Sequence, residues 1–142
     1  MSTPVARKVE VTQVAANRRR GGDIRVLLSP KTVGSTSGFL GVLTLEPGEF
    51  VAEHYHPYSE EFLYVVRGQV VLRVEDEPFE LTGGEGIMVP IGQRHRLVNT
   101  GTEQAFAVFH LAPLAPRPEL GHVDTEPLPA PAEPAPQVGA AP

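Results

Sequence analysis

The chain has 142 residues, 41% hydrophobic and 20% charged, a size and balance that fit one globular domain with a real core. Its net charge of -5 argues against nucleic acid as the main partner, because phosphate binding needs a basic surface, and the lack of cysteine excludes disulfides, thiolate metal sites and cysteine nucleophiles. The N-terminal MSTPVARKVEV has no apolar h-region and no apolar run approaches the ~18 residues of a membrane span, so the expectation is a soluble, cytoplasmic protein with no membrane partner.

In chain order, an N-terminal arm (1–22) carries a weak helical period over Val9–Arg20 and ends in the basic run NRRRGG. Short segments rich in Val, Leu and Phe follow: Ile24–Leu28, Gly38–Leu45, Phe50–His56, Phe62–Val74, Phe79–Leu81, Gly86–Pro90, His95–Asn99 and Gln104–Ala112. Pro-Gly, Arg-Gly, Gly-Gly and Thr-Gly turns separate them, which predicts strands. Many short strands at even spacing mean an all-β sandwich or barrel, here over residues 23–120. Nine of the fifteen prolines lie in Pro113–Pro142. Pro/Ala-rich sequence cannot form a core, so residues 121–142 are expected to be a disordered tail, with His122 a solvated bystander. Truncation after about residue 120 should then leave thermal stability and metal binding nearly unchanged.

The chemistry concentrates in EHYHPYSEEFLYVVRG, Glu53–Gly68. Residues i and i+2 share a strand face, so His54 and His56 point the same way and two imidazoles can grip one ion. Further ligands must come from elsewhere in the chain. Imidazole and carboxylate donors suit Zn, Fe, Mn or Ni, and the absence of thiolate argues against a purely structural zinc.

Gly48, His54, His56, Glu61 and Gly68, and later Gly84, Pro90, Gly92, His95 and Asn99, fall at the spacing of both halves of the cupin signature. Over Val42–Ala112 the chain resembles the cupin superfamily with no departure at any motif position. The resemblance implies a jelly-roll β-barrel with a divalent metal inside, held by His54, His56, Glu61 and His95. Strand parity past the Pro57–Ser59 turn cannot be derived from sequence, so Glu61 is preferred over Glu60 on motif spacing alone. His110, placed on one strand face with the apolar Phe106 and Val108, is the candidate for an extra ligand in place of Glu61, or for a general base.

RGG (Arg20–Gly22), LLSPKTVG (Leu27–Gly34) and EHYHPYSEEFLYV (Glu53–Val65) narrow the likeness further. They resemble the small single-domain cupins of aromatic polyketide pathways, the tetracenomycin- and resistomycin-type cyclases. That resemblance implies a homodimeric biosynthetic enzyme, zinc being the first choice of metal, that folds a poly-β-ketone into aromatic rings. The ring-forming step is an aldol cyclisation through an enolate, for which a metal-bound hydroxide, Glu61 if it is not a ligand, or His110 could remove the methylene proton. Phe39, Leu43, Phe50, Tyr64, Met88, Leu97 and Phe106 are candidate lining residues. The run NRRRGG, with Lys31, offers a basic patch for an acidic acyl carrier protein presenting the substrate. The competing readings are an Fe(II)-dependent cupin oxygenase on an aromatic substrate and a non-catalytic small-molecule-binding cupin, because a fold alone does not give a function.

Overall fold

The computed structural model describes residues 3–140; the first two residues of the arm and the last two of the tail lie outside that range. Ten strands follow one another: β1 Asp23–Leu28, β2 Phe39–Leu45, β3 Phe50–Tyr55, β4 Glu60–Arg67, β5 Gln69–Val74, β6 Glu77–Thr82, β7 Gly86–Val89, β8 His95–Asn99, β9 Ala105–Ala112 and β10 Val123–Asp124. They form two antiparallel sheets, ordered β1-β2-β9-β4-β7 and β10-β3-β8-β5-β6. The all-β expectation holds. The arm's helical period comes to a single 3-10 turn, Val11–Gln13, and Pro30–Val33 forms one α-helical turn capped by Ser29.

The long apolar run Phe62–Val74 is two strands, broken at Gly68. Gly68 has φ +92°, and a Cβ there would sit 2.7 Å from the Cα of Ala105, so any side chain would collide with the strand opposite. Between the sheets lies the core, built from Leu43, Leu45, Val51, Leu63, Val65 and Leu72 among others. All but Val51 come from strands whose inward positions alternate with outward ones, the period-2 burial that one buried face requires.

The β3–β8 pair is irregular. Val51 faces Leu97 and His54 faces His95, so β3 holds one residue more than β8 over the same span. Such a bulge re-aims the side chains beyond it. Val51 and Ala52 are consequently both buried, and His54 turns inward. Phe50 is left on the outside with the Arg96 guanidinium 4.2 Å above its ring, which corrects its placement among the cavity-lining residues.

Past Leu120 the chain has almost no regular structure, as its proline content dictates, but it does not stand away from the barrel. β10 pairs with β3, Val123 opposite Tyr55 and Asp124 opposite His54. The tail then runs back along the arm. Asn17 Nδ2 donates to the Pro134 carbonyl at 2.9 Å, Arg19 Nη1 to that of Pro131 at 2.8 Å, and the Lys31 N–H to that of Val138 at 3.1 Å. The basic run is only partly free: backbone carbonyls of the tail occupy Arg19 and Arg20 is buried, while Arg18 stays exposed. Gly21 lets the arm lie close against β3, since a Cβ there would lie 1.9 Å from the Phe50 carbonyl oxygen.

Candidate metal centre

His54 and His95 sit directly opposite each other on β3 and β8, while His56 follows just past the end of β3. Glu61 comes from β4 in the facing sheet, on the same inward face as Leu63 and Val65. Parity within β4 thus separates Glu61 from Glu60, a choice the intervening turn hid from the sequence. The three imidazole rings lie with centroids 4.9, 4.4 and 5.3 Å apart, and one ring nitrogen from each falls within 4.8 Å of the others. Glu61 Oε2 is 3.0 Å from His95 Nε2, and Oε1 is 3.8 Å from His56 Nε2.

Each ring is oriented through its other nitrogen. His54 Nδ1 lies 2.7 Å from the Ala52 carbonyl, His95 Nδ1 3.0 Å from that of Gln93, and His56 Nδ1 2.9 Å from that of Gly121. A carbonyl can only accept, so in the neutral rings Nδ1 carries the proton and Nε2 keeps its lone pair for the centre. His56 Nε2 is buried without a hydrogen-bond partner, and the buried His95 Nε2 has only the Glu61 carboxylate beside it. Buried polar nitrogens left open in this way are uncommon, and here they face one another and a carboxylate.

The electrostatics agree. Burial pushes His54 well below the ordinary imidazole value and His56 below it, in each case outweighing the attraction of Glu61. His95 goes the other way: burial alone would lower it, but the Glu61 carboxylate raises it. Burial would raise Glu61, yet the charges of His95, His56 and His54 and its contact with His95 bring it down to about 2. Two neutral imidazoles, a third paired with an ionised carboxylate, and open nitrogens directed at one point fit a divalent cation of borderline hardness. His54, His56, His95 and Glu61 are the residues that would hold it.

His110 is not among them. Ala105, Ala107, Phe109 and Leu111 are the buried set on β9, which puts Phe106, Val108 and His110 on the outer face. Its ring lies 6.1 Å from that of Phe62, which is 45% exposed. Neither the ligand role nor the general-base role expected for His110 survives this placement. The physical reason is that both alternating sets on β9 are apolar, so periodicity cannot say which one faces the core. The same outer face takes Tyr64 and Met88, both exposed, and Phe106, which lies under the Arg67 guanidinium. Phe39, Leu43 and Leu97 do line the cavity.

That cavity, about 390 Å³, opens from the histidine cluster between the sheets and is walled mainly by aliphatic and aromatic side chains, Val26, Leu63 and Phe109 among them. It is of the size that encloses one small organic molecule. Its rim includes Leu114, Ala115 and Pro118 and the tail residues Ala135–Gly139. His122 lines it too, its pKa pushed down to about 4 by burial and by the neighbouring Arg20, so it is no solvated bystander. The tail therefore contributes twice, as cavity wall and, through the Gly121 carbonyl, as the partner that orients His56. Only the oddity of a histidine in a Pro/Ala-rich stretch hinted at this.

A consequence is open to measurement and reverses the expectation for truncation. A chain ending at Leu120 is expected to bind zinc about 10–100-fold more weakly, the usual cost of losing a group that orients a ligand. Its melting temperature is expected to fall by several degrees as β10 and the arm contacts are lost. Competition with a chromophoric chelator measures the first, and unchanged affinity would show that Gly121 does not hold His56.

Comparison with known proteins agrees with the fold and the pathway class. The cupin domain family matches residues 41–111. The chain is 57% identical over 120 residues to the polyketide synthase CurC of Streptomyces cyaneus, covering 84% of this chain and 78% of that protein. It is 53% identical over 134 residues to the tetracenomycin polyketide synthase protein TcmJ of Streptomyces glaucescens, covering 94% and 90%. Among solved structures, an oxalate decarboxylase of Bacillus subtilis superposes with a TM-score of 0.70 at 19% identity, over 80% of this chain and 30% of that one. A predicted oxalate decarboxylase of Thermotoga maritima gives 0.66 at 21%, over 75% and 98%. At such identities the structural likeness concerns the fold alone. Among the described residues, no helix is long and apolar enough to cross a membrane.

Proposed function

The chain belongs to the cupin domain family, and from that premise we propose that it is a metal-dependent cyclase of aromatic polyketide biosynthesis, closing a ring of a poly-β-ketone by an aldol reaction. The observation that carries the proposal is the floor of the apolar cavity. His54, His56, His95 and Glu61 converge there, in a chain more than half identical to two polyketide synthase proteins.

A divalent ion held by these residues, zinc in the first place, supplies Lewis acidity toward a ketone oxygen. The rest falls to the protein. Aliphatic and aromatic walls hold the flexible chain folded so that one methylene carbon meets one carbonyl carbon, replacing an entropic search by a fixed approach. Where the three histidines alone hold the ion, Glu61, ionised and beside His95, is the carboxylate placed to receive the proton of a methylene flanked by two carbonyls. The new carbon–carbon bond forms from the resulting enolate carbon to the distant carbonyl carbon, whose oxygen takes up a proton; loss of water then moves the ring toward aromaticity. The three walls of tail, arm and barrel keep bulk water away from the reacting carbons, which suppresses unguided cyclisation.

Histidine-rich sites with a carboxylate also hold iron, which is what the oxygenase reading requires. Metal content and oxygen uptake separate the two. Protein purified from its native host is expected to carry zinc and to consume no oxygen when given a polyketide substrate. Iron content together with stoichiometric oxygen uptake would overturn the cyclase reading.

A further inference from the structure

Arg20 lies 7% exposed at the wall of the cavity that contains the three histidines. Its Nε donates to Asp124 Oδ1 at 2.8 Å, but Nη2 is buried with no hydrogen-bond partner. An arginine paired with a carboxylate normally uses both arms of the fork, one on each oxygen. Here the second arm is withheld, and the other oxygen, Asp124 Oδ2, leans toward His122 Nε2 at 3.9 Å. Desolvation of the guanidinium lowers its pKa, yet arginine stays charged at any physiological pH. A buried cation with an open donor is costly unless something else completes it, and the residue that carries it belongs to the wall of the cavity. Backbone and side chain hold it there together: the Arg20 carbonyl accepts from the Ala52 N–H at 2.8 Å, tying it to the strand that carries His54.

From this geometry we infer that Arg20 Nη2 is a binding site for an anionic oxygen on an apolar ligand, distinct from the histidine centre in the same cavity. Resting on the polyketide reading above, the ligand group is an enolised 1,3-dicarbonyl oxygen or a carboxylate of the chain. The guanidinium fixes that end while the carbons to be joined lie over the histidine centre, so Arg20 acts on which carbons meet. A terminal or enolic oxygen anchored at a fixed distance from the metal residues is a ruler for ring position. Asp124 and its strand β10 are part of the device, because they hold the guanidinium plane through Nε and leave Nη2 free.

Calorimetric titration of the zinc-loaded, full-length protein tests this with three probes: 2-naphthoate, 1-phenyl-1,3-butanedione and the neutral 2-naphthamide. Arg20→Gln and Arg20→Lys are both used, the lysine variant keeping a charge opposite Asp124 while removing the second arm. Zinc occupancy and melting temperature serve to identify folded variants. The expected result is a loss of about tenfold or more for the carboxylate or the diketone in both variants, with naphthamide affinity changed less than twofold. Which of the two anions suffers identifies the group that binds. Equal losses for all three probes, or no loss for either anion, would overturn the assignment. A strain test of ring pattern fails or succeeds independently of these titrations, so the anchor and the cyclase reading can fall separately.

Discussion

Replacing His54, His56 or His95 by alanine is expected to leave the purified protein without tightly bound divalent metal. Each change removes one of the three ring nitrogens that meet within 4.8 Å. The loss should exceed the ~10–100-fold that follows from disturbing a ligand's outer partner, because a donor itself is gone. Glu61→Gln keeps the shape and removes the charge; metal affinity is expected to fall, and His95, freed from the carboxylate that raises it, should titrate lower. The sign for pH follows from His95. A raised pKa means that it is protonated below that value, and metal must displace the proton, so affinity weakens as pH falls through it. His110→Ala, on the outer face, should retain full occupancy. Metal analysis after dialysis reads all five variants, and full occupancy in any of the three histidine-to-alanine proteins would remove that residue from the ligand set.

A producing strain deprived of this protein is expected to make shunt products of unchanged chain length and altered ring pattern. Chain length is set before cyclisation, whereas ring pattern depends on how the chain is held while the enolate forms. In free solution the several acidic methylenes of a poly-β-ketone compete, and the cavity removes that competition by admitting one fold of the chain. The His54→Ala protein should fail to restore the proper pattern. Aliphatic contacts, not the histidines, form the core of the barrel, so a soluble, folded variant is expected. An oxygenase would leave a different trace, correctly cyclised intermediates lacking one oxygen atom. Product masses and ring connectivity distinguish the outcomes, and accumulation of such deoxygenated but correctly closed rings would refute the cyclase assignment.

Much of the candidate site was legible because short-range rules govern it. His54 and His56 share a face whatever the rest of the chain does, whereas Glu61 and His95 entered only as what the resemblance to the cupin signature implies. The misplaced residues have one origin in common. For Phe50, Tyr64, Met88, Phe106 and His110 the role depends on the side of a strand, and an apolar strand does not announce which side is inward. On β9 both alternating sets are apolar, and on β3 the bulge before His54 shifts the pattern by one residue. Only the pairing of strands, a contact between residues far apart in the chain, resolves such ambiguities.

The tail marks the same boundary. Composition by itself determined that residues 121–142 would build no core, and in the structure residues 121–140 are almost without regular elements. The pattern of short strands and turns also determined an all-β sandwich or barrel, since strand length and turn residues are local properties, and composition excluded thiolates. Where the tail lies was beyond it. Extended, proline-rich backbone has carbonyls that bond to whatever donors they meet, and Arg19 and the Lys31 backbone supply them only because the fold brings the arm and the Pro30–Val33 turn alongside. Tertiary structure alone decided that Gly121 would orient His56 and that Asp124 would hold Arg20 by one arm at the cavity wall. Those contacts join residues 65 and 104 positions apart, and no periodicity in the chain records them.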